Sequence, residues 1–392
     1  MRAVVALVVK LSCFFTLSFA VCVFFCLTDS FFFLSLFLSF KTKKQEQGTE
    51  MAGTTKNVVI LLGPGAKDSE PEEIVEWSRT VPGLRVVVAH DAEEAGVQGM
   101  APCEVDALVP WNVFREAVEP FVAACGAGKR LRWVHCTFAG IDRMLFPALV
   151  EDDGVALTLT KGVYSSSLGE WVLLGLLYWE KRVPRLEAQQ RAHVWTRFYN
   201  EELRGKRMCV VGFGSIGQDA ARKATALGVR VVGVRRRPVP AGAETATVDA
   251  AVAERVVGAE QLLDVLPACD YVVLVLPLTR ETRGCFTRAH FAAMKRSAIF
   301  VNIGRGRTVD HDALCDALRE HRIAAASIDV AADEPLPPAS PLWDLDNILI
   351  SPHGADLTPA AAKDCAALVK ENLLRFARDE PLLNHADKHL GY

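Results

Sequence analysis

Apolar residues in this chain of 392 residues form short continuous runs separated by longer, helix-like stretches. Several of the runs are apolar throughout rather than at every second position, which is typical of strands buried on both faces of a parallel sheet. Because helical stretches separate the runs, the sequence predicts an α/β protein. The ten predicted strands are 57–62, 84–89, 131–136, 155–160, 208–213, 229–234, 271–276, 298–303, 324–330 and 347–352.

A polar segment with charges of both signs, residues 180–206, interrupts this pattern between two apolar blocks. We interpret it as a connecting arm or an oligomer contact. The apolar stretch before it, 165–179, predicts a buried helix. Ser167 and Glu170 have the S-x-x-E spacing of a capping box, so we expect that helix to begin there and Glu170 to have a structural role.

Composition changes this picture little. The formal net charge is −3, which argues against a basic nucleic-acid-binding surface. Eleven cysteines are present, three of them in a hydrophobic leader. The other eight are widely spaced, with no C-x-x-C pair and no histidine at metal-binding spacing, so we expect single buried thiols and neither a metal site nor a disulfide framework.

The leader is the unusual part of the chain, because residues 11–40 contain one charged residue, Asp29. The uncharged run Leu11–Thr28 reaches the roughly 18 residues at which a membrane helix becomes a candidate. Arg2 and Lys10 precede this run, so a secretory signal peptide is a second interpretation. Either one would give a membrane-anchored or secreted protein.

A third interpretation is the one we favour. The run Ser30–Phe40 contains only Phe, Leu and Ser, which pyrimidine-only codons can encode. We therefore hypothesise that residues 1–50 lie upstream of the native start and that the protein begins at Met51. An intact mass that includes residues 1–50 would refute this hypothesis.

A glycine-rich loop stands between two predicted strands in the second half of the chain. Gly212-x-Gly214-x-x-Gly217 follows the first strand and opens a helix that leads to the second. In such a loop the first glycine permits a tight turn, the second lets the backbone approach a pyrophosphate, and the third lets helix and strand pack closely. The helix N-terminus adds unpaired N–H groups and a positive dipole end. The complete strand–turn–helix–strand context predicts a dinucleotide-binding site.

The residues after the second strand indicate which dinucleotide. An NAD site carries Asp or Glu at this position to accept the ribose 2′-hydroxyl, but here Arg235 is followed by Arg236 and Arg237. A guanidinium cannot accept that hydrogen bond, but it binds a 2′-phosphate well. We therefore expect NADPH to be preferred and NADH to be usable, with Arg235 and Arg236 as the contacts; a solvated basic turn is the alternative.

Three further motifs place chemistry just past predicted strands. Arg305 lies in the glycine-rich turn of "FVNIGRGRTVD", Glu334 follows "ASIDVAAD", and His353 follows "ILISP". Open α/β sheets bind ligands at the carboxyl ends of their strands, so these residues are candidates for one active site. Asp310 is expected to be only the N-cap of the helix that follows it.

Together with "LPLTRETRG" (276–284), these motifs resemble the D-isomer-specific 2-hydroxyacid dehydrogenase family. The resemblance covers nearly all of Val58–Tyr392. The C-terminal "NHADKHLGY" and the lack of an acidic residue at 235 are most similar to the glyoxylate/hydroxypyruvate reductase A branch. The Arg, Glu and His of these motifs are catalytic in that family, which implies the same roles for Arg305, Glu334 and His353.

The resemblance also implies an architecture. It consists of two Rossmann-like domains with parallel sheets and a cleft between them, in which a coenzyme domain (161–353) is inserted into a split substrate domain (51–160 and 354–392). Thr358 and Pro359 are expected to cap and begin the helix that returns to the substrate domain. A homodimer is implied as well, with the 180–206 arm as a contributor.

Contact residues follow from the same resemblance. The loop "TFAGIDRM" (137–144) is expected to meet the substrate carboxylate through Ala139 and Gly140, together with Arg305. Asp329 is expected to face the coenzyme. The implied coenzyme-binding residues are Gly212, Gly214, Ser215, Ile216, Gly217, Arg235, Arg236, Leu276, Pro277, Thr282, Ile303, Gly304, Asp329 and Ala355.

The resemblance implies reduction of a small 2-oxoacid to the D-2-hydroxyacid, in the cytosol, where NADPH is available. Histidine is the natural proton donor near neutral pH, and a carboxylate on its far nitrogen would orient it. The family also includes transcriptional corepressors that sense nucleotide on the same fold, so a nucleotide-sensing binding protein is the alternative function.

Overall fold

The parallel strands that the sequence predicts are present, together with two more. A computed structural model describes residues 55–63, 69–126, 128–236 and 252–392. Within it, Thr55–Tyr392 form one compact unit. The hypotheses about the leader and Met51, and the third arginine of the basic run, Arg237, lie outside the described residues.

Twelve strands occur in the described ranges, and every pairing between them is parallel. They are β1 (Lys56–Leu62), β2 (Leu84–Ala89), β3 (Ala107–Trp111), β4 (Trp133–Cys136), β5 (Ala156–Leu159), β6 (Arg207–Val211), β7 (Arg230–Arg235), β8 (Arg255–Gly258), β9 (Tyr271–Leu274), β10 (Ile299–Asn302), β11 (Ala325–Ile328) and β12 (Ile348–Ile350).

Helices connect these strands. They are α1 (Glu70–Ser78), α2 (Ala92–Val97), α3 (Arg115–Ala124), α4 (Pro147–Val150), α5 (Ser165–Glu180), α6 (Val183–Arg191), α7 (Ser215–Ala226), α8 (Leu262–Val265), α9 (Arg288–Ala293), α10 (His311–Arg319) and α11 (Pro359–Ala377). Short 3-10 helices lie at Pro102–Glu104, Ala259–Gln261, Leu266–Ala268, Gly306–Thr308 and Pro341–Asp344.

The strands form two parallel sheets, which confirms the predicted α/β class with two Rossmann-like domains. The first sheet has the order β2-β1-β3-β4-β5 and the second has the order β12-β11-β10-β9-β6-β7-β8. In the second sheet the chain runs outward from β6 to β8 and then returns to β9 on the other side of β6. Such a reversal opens a crevice at the carboxyl ends of the two central strands, which is where ligands bind in open α/β sheets.

Both faces of each sheet are buried, as the continuous apolar runs predict. In β1, Val58 and Ile60 pack on the face that carries Ile74 of α1, while Val59 and Leu61 pack on the opposite face, which carries Phe121 of α3. Side chains alternate between the faces of a strand, so a strand covered on both sides must be apolar at every position.

The last helix returns to the first sheet. Apolar residues of α11, including Val369, Leu373 and Phe376, pack in the same cluster as Val58 and Ile60. Its N-cap is confirmed, because the Thr358 hydroxyl accepts the N–H of Ala361, with proline at the first helical position. The residues after α11 then pair with the edge strand β5 through an isolated antiparallel bridge between Thr158 and His385.

The capping-box prediction for α5 was wrong. The helix begins at Ser165, two residues before Ser167, and its N-cap Tyr164 makes no side-chain capping bond. The Ser167 hydroxyl instead donates to the carbonyl of Tyr164. Glu170 is contacted by the Ser166 hydroxyl at 3.4 Å and not by the N-cap backbone. The N-cap prediction for Asp310 is confirmed, since its carboxylate accepts the N–H of Ala313.

The polar segment forms an arm that leaves the end of α5 and returns to it. The backbone N–H of Glu201 donates to the carbonyl of Glu180, so both ends of the excursion meet. Between them, α6 buries none of its residues. Beyond α6, Trp195 is 98% exposed and Tyr199 is 93% exposed. Large aromatic side chains exposed to this degree are characteristic of contact surfaces.

The expectation of single buried thiols can be compared with the structure. Of the eight cysteines outside the leader, all are free and six are buried, as expected of single core thiols. As a separate finding, no helix within the described ranges combines the length and apolar character needed to cross a bilayer.

Candidate active site

The glycine-rich loop joins β6 to α7 at the carboxyl edge of the second sheet. Gly212 has a φ of +100°, in the region that favours glycine, and a side chain there would meet the carbonyl oxygen of Val275. A β-carbon on Gly217 would lie 2.5 Å from the carbonyl oxygen of Gly212. These two glycines are therefore required by the turn and by the approach of α7 to β6.

Gly214 differs from its two neighbours. A β-carbon on Gly214 would meet nothing within 4 Å, and the residue is exposed at the N-cap of α7. Ser215 and Ile216 are the first two residues of that helix, whose N-terminal N–H groups face outward from the turn. The space in front of Gly214 thus suits the close approach of a phosphate to the backbone. In this respect the loop fits a dinucleotide.

The two described arginines lie where β7 ends. The Nε atom of Arg235 donates to the carbonyl of Phe213 at 2.8 Å, and its guanidinium lies over the Phe213 ring. Arg236 is more exposed, pairs with Glu281 at 3.1 Å and lies over the ring of Tyr392. Arg235 is therefore fixed against the glycine-rich loop itself, while Arg236 is held from the other side of the crevice.

Neighbouring strand ends close around this loop. Gly304, after β10, has no room for a side chain because the backbone of Leu276, after β9, lies 2.6 Å from the β-carbon position. Ile303 is buried and donates its N–H to Leu274. The Thr282 hydroxyl donates to the carbonyl of Pro277 and orders the turn that follows β9. These predicted coenzyme residues thus lie at adjacent strand ends.

Arg305 follows β10 and reaches across to the first domain. Its Nε donates to Oδ1 of Asp142 at 2.8 Å, and its Nη1 donates to the carbonyl of Gly304. A β-carbon on Gly140 would lie 1.9 Å from Nη2 of Arg305. Gly140 therefore packs directly beneath the guanidinium. Ala139 lies half-buried in the bend just before it, and no side-chain contact distinguishes it.

His353 and Glu334 form a hydrogen-bonded pair. Nδ1 of His353 lies 2.8 Å from Oε2 of Glu334, and Oε1 of Glu334 accepts the N–H of Ala331. His353 has a φ of +53°, in the left-handed region that non-glycine residues rarely adopt. The pair joins the loop after β12 to the loop after β11. Because Nδ1 is hydrogen-bonded to Glu334, Nε2 of His353 is the nitrogen that can face a substrate.

The pKa values of this pair shift in opposite directions. The hydrogen bond with the Glu334 carboxylate raises the pKa of His353, and the negative charge of Glu334 raises it further. Burial and the positive charge of Arg305 act to lower it. Burial acts to raise the pKa of Glu334, but the hydrogen bond and charge of His353, with the Ala331 N–H and Arg305, together lower it. A protonated imidazole beside an ionised carboxylate is thereby favoured, which suits a general acid.

Asp329 is almost completely buried at the end of β11. Its Oδ1 accepts the backbone N–H groups of Gly354 and Ala355 at 3.0 and 3.2 Å. Besides the expected contact with the coenzyme, Asp329 therefore has a structural role, because it fixes the two residues that follow His353. This arrangement helps to explain how His353 is held in its unusual backbone conformation.

Two carboxylates of the site were not among the predicted residues. Asp142 pairs with Arg305, and the signal for it was its position in "TFAGIDRM", two residues after Gly140. Asp356 is half-buried three residues after His353 and interacts electrostatically with His353, Asp329 and Arg305. Burial raises the pKa of Asp356. Its signal was the unusual "HGADLT" after the histidine.

Comparisons with known proteins identify the family of this chain. Residues 173–355 match the model of the NAD binding domain of D-isomer specific 2-hydroxyacid dehydrogenases. A glyoxylate reductase of Thermococcus onnurineus is 35% identical over 288 residues, which cover 71% of this chain and 81% of that protein. A glyoxylate reductase of Pyrococcus furiosus is 34% identical with the same coverage.

Solved structures with the same fold include two that were determined with coenzyme. A D-isomer specific 2-hydroxyacid dehydrogenase from Xanthobacter autotrophicus, in complex with NADPH and MES, has a TM-score of 0.69 at 29% identity. The NADPH-dependent glyoxylate/hydroxypyruvate reductase of Sinorhizobium meliloti, in complex with NADP and sulfate, has a TM-score of 0.70 at 27% identity. Each match covers 86% of this chain and all of the other. The chain therefore belongs to the D-isomer specific 2-hydroxyacid dehydrogenase family and is an NAD(P)-dependent oxidoreductase.

Proposed function

We propose that this protein is an NADPH-dependent reductase of small 2-oxoacids of the glyoxylate and hydroxypyruvate type, with the D-2-hydroxyacid as product. The observation that carries the proposal is the His353–Glu334 pair, which shares the carboxyl edge of one sheet with Arg305 and the glycine-rich loop. The reductase names of the relatives in Thermococcus onnurineus and Sinorhizobium meliloti support the choice of substrate class.

The coenzyme preference follows from charge at the end of β7. Arg235 and Arg236 would hold the 2′-phosphate of NADPH, and the N-terminus of α7 with Gly214 would hold the pyrophosphate. When bound, the reduced nicotinamide supplies the hydride for the carbonyl carbon. Arg235 is fixed against the glycine-rich loop through the Phe213 carbonyl and is less exposed than Arg236, so we expect Arg235 to contribute more to the preference.

Proton transfer is assigned to His353. In the protonated form its Nε2 donates to the carbonyl oxygen of the substrate, while Nδ1 stays on Glu334. Glu334 fixes the ring and stabilises the imidazolium before the proton is given up. The raised pKa of His353 keeps the donor form populated to higher pH than an isolated histidine would allow.

Substrate binding is assigned to Arg305. Its guanidinium presents a planar fork of donors that matches a carboxylate, and it lies at the boundary between the two domains. The loop that contains Ala139 and Gly140 packs against it and forms the opposite side of the site. Closure of the two domains over the substrate would exclude water from the reacting atoms.

We further propose a homodimer in the cytosol. The arm that contains α6 presents Trp195 and Tyr199 to solvent, and a second copy of the chain would cover these rings. The cytosol is proposed because it holds NADPH.

The test is oxidation of NADPH and of NADH by the purified full chain, with 2-oxoacids from glyoxylate to phenylpyruvate. We expect turnover with a preference for NADPH of at least about tenfold in kcat/KM, which corresponds to about 1.4 kcal/mol. His353→Ala should lower kcat by about 10²- to 10⁴-fold, the usual contribution of a general acid, and leave NADPH binding nearly intact. Nucleotide binding without any turnover would instead favour a nucleotide-sensing, corepressor-like protein.

A further inference from the structure

The ion pair between Asp142 and Arg305 connects the two domains at the active site. The residues are 163 positions apart in sequence, and Asp142 lies after β4 in the first sheet while Arg305 lies after β10 in the second. Their side chains are only 15% and 24% exposed. Because this ion pair is sheltered from water, its attraction is screened less than that of a surface pair. Breaking or distorting it therefore costs more free energy.

The same loop constrains Arg305 at a second point. The β-carbon position of Gly140 would lie 1.9 Å from Nη2 and 2.7 Å from Cζ of Arg305, so the guanidinium occupies the volume that any side chain at 140 would need. Asp142 holds the guanidinium by an ion pair, and Gly140 makes room for it. Both residues belong to "TFAGIDRM", and the guanidinium orientation therefore depends on where this loop lies.

The N–H donors of the Arg305 guanidinium therefore fall into two groups: those bonded within the protein and those that can meet a substrate. An arginine has five N–H groups in a fixed plane. The Nε–H points to Asp142 and one Nη1–H points to the carbonyl of Gly304. With these two fixed, the plane of the fork is determined. The remaining N–H groups can then meet a substrate carboxylate only from directions that this plane allows.

We propose that Asp142 is a positioning residue for substrate binding: it aligns Arg305 for the substrate carboxylate and does so only when the two domains are close enough to form the ion pair. This inference rests on the proposed 2-oxoacid reductase function. In this proposal a residue of the first domain, Asp142, orients an arginine of the second domain, Arg305. Substrate affinity is thereby coupled to the domain arrangement.

Charge alone would predict the opposite effect of removing Asp142. An anionic neighbour lowers the attraction of Arg305 for a carboxylate, so a purely electrostatic role would make Asp142→Ala bind substrate more tightly. A positioning role makes the same variant bind more weakly, because Arg305 loses its orientation. Asp142→Asn separates the two effects, since it keeps an oxygen acceptor for Nε and removes the charge.

The experiment compares Asp142→Ala and Asp142→Asn with the unmodified full chain, and uses Asp333→Asn as the matched control. Asp333 forms a 3.1 Å ion pair with Arg307, two residues after Arg305, but is largely exposed. Measured quantities are kcat and KM for glyoxylate at saturating NADPH, the Kd of NADPH, and the Kd of oxamate, a carboxylate analogue, for the NADPH-bound protein.

For Asp142→Ala we expect KM for glyoxylate and Kd for oxamate to rise by at least about tenfold, with kcat changed by less than about threefold and NADPH binding unchanged. Asp142→Asn should lie between this variant and the unmodified protein, and Asp333→Asn should match the unmodified protein. Unchanged or tighter oxamate binding in Asp142→Ala would overturn the inference while leaving the proposed function intact.

Failure of the proposed function has a different signature. If the unmodified protein binds oxamate but does not turn over, weaker oxamate binding in Asp142→Ala still supports the positioning role. If the unmodified protein neither turns over nor binds oxamate, the inference falls together with the proposed function. A global loss of structure in Asp142→Ala would raise the Kd of NADPH as well, which distinguishes it from loss of positioning.

Discussion

His353 and Glu334 are 19 residues apart in sequence, and their side chains meet at 2.8 Å because the strands before them, β12 and β11, are neighbours in one sheet. Nδ1 of His353 is therefore hydrogen-bonded to the Glu334 carboxylate, and Nε2 is the nitrogen that can face a substrate. The carboxylate is in turn anchored by the N–H of Ala331. The imidazole of His353 is thus oriented by groups at the carboxyl edge of the sheet.

Glu334→Gln should shift the pH dependence of the reductase. Glu334 raises the pKa of His353, so its neutralisation lowers that pKa, and less of the histidine carries a proton at a given pH. In the proposed mechanism, activity requires the protonated donor. The fall in kcat with rising pH should therefore begin at lower pH, and the loss of kcat should be largest at the alkaline end of the profile. Rate profiles between pH 5 and 9 measure this shift, and Asp333→Asn, next to Glu334, should leave the profile unchanged.

Alanine at two loop glycines should have different effects. Gly214→Ala meets no neighbouring atom, so Tm should stay unchanged, while the Kd of NADPH should rise at least about tenfold because the methyl group enters the phosphate space. Gly217→Ala meets the Gly212 backbone and should lower Tm as well. Gly96→Ala, which also meets nothing within 4 Å but lies in α2, is the control for both quantities. Equal loss of Tm in the first two variants would contradict this prediction.

Arg235→Ala should change coenzyme selectivity. Removing the guanidinium should raise KM for NADPH by about tenfold or more and leave KM for NADH nearly constant, since only NADPH carries the 2′-phosphate. Arg236→Ala should have a smaller effect because Arg236 is more exposed, whereas Arg235 is fixed against the glycine-rich loop. Arg230→Ala, at the other end of β7, is a control of equal charge change. A parallel rise for both coenzymes would show general damage to the site.

Asp356→Asn should weaken discrimination against dicarboxylic 2-oxoacids. Asp356 adds to the negative charge of Asp329 and Glu334 around a site in which Arg305 and His353 are the facing cations. A second carboxylate on the substrate should be repelled. The ratio of kcat/KM for oxaloacetate to that for glyoxylate should rise several-fold in the variant at pH 8. An unchanged ratio would remove Asp356 from substrate selection.

Trp195→Asp should disrupt self-association. The ring is almost fully exposed on the arm, so burial of a charge in its place would oppose any interface that covers it. Sedimentation velocity should show the unmodified chain as a dimer and the variant as predominantly monomer. Val97→Asp changes another highly exposed apolar residue and should not alter the mass. A monomeric unmodified protein would refute the proposed dimer.

The fold was largely predictable because its strands are covered on both faces. The centre of a strand such as β1 is covered on both sides, and so residues 58–62 form a continuous apolar run after Lys56 and Asn57. The two strands that escaped prediction give a weaker signal. Strand β3 contains Pro110, which normally argues against a strand; it is accepted because Ala107 and Leu108 make the pairing with β4 and Pro110 lies beyond it. Strand β8 has only two consecutive apolar residues, Val256 and Val257, between Arg255 and Gly258.

The candidate site was predictable where a motif lies directly after a strand, as for Arg305 and His353. Asp142 and Asp356 were missed for a physical reason. Each stands in a motif that is visible in the sequence, but its importance depends on which charged side chains other loops bring close to it, and the local sequence does not specify those contacts. Asp142 acquires a role only through its contact with Arg305, a residue that lies on a different sheet.

The packing of α11 on β1 determines the order in which the domains can be finished during synthesis. The ribosome releases β1 to β5 and α1 first, but the face of their sheet that carries Ile74 of α1 is only partly covered until Val369, Leu373 and Phe376 of α11 emerge. The coenzyme sheet, β6 to β12, is complete before that helix is made. The first domain in the sequence is therefore the last to be completed. Part of its apolar face stays exposed until the whole inserted domain has been translated.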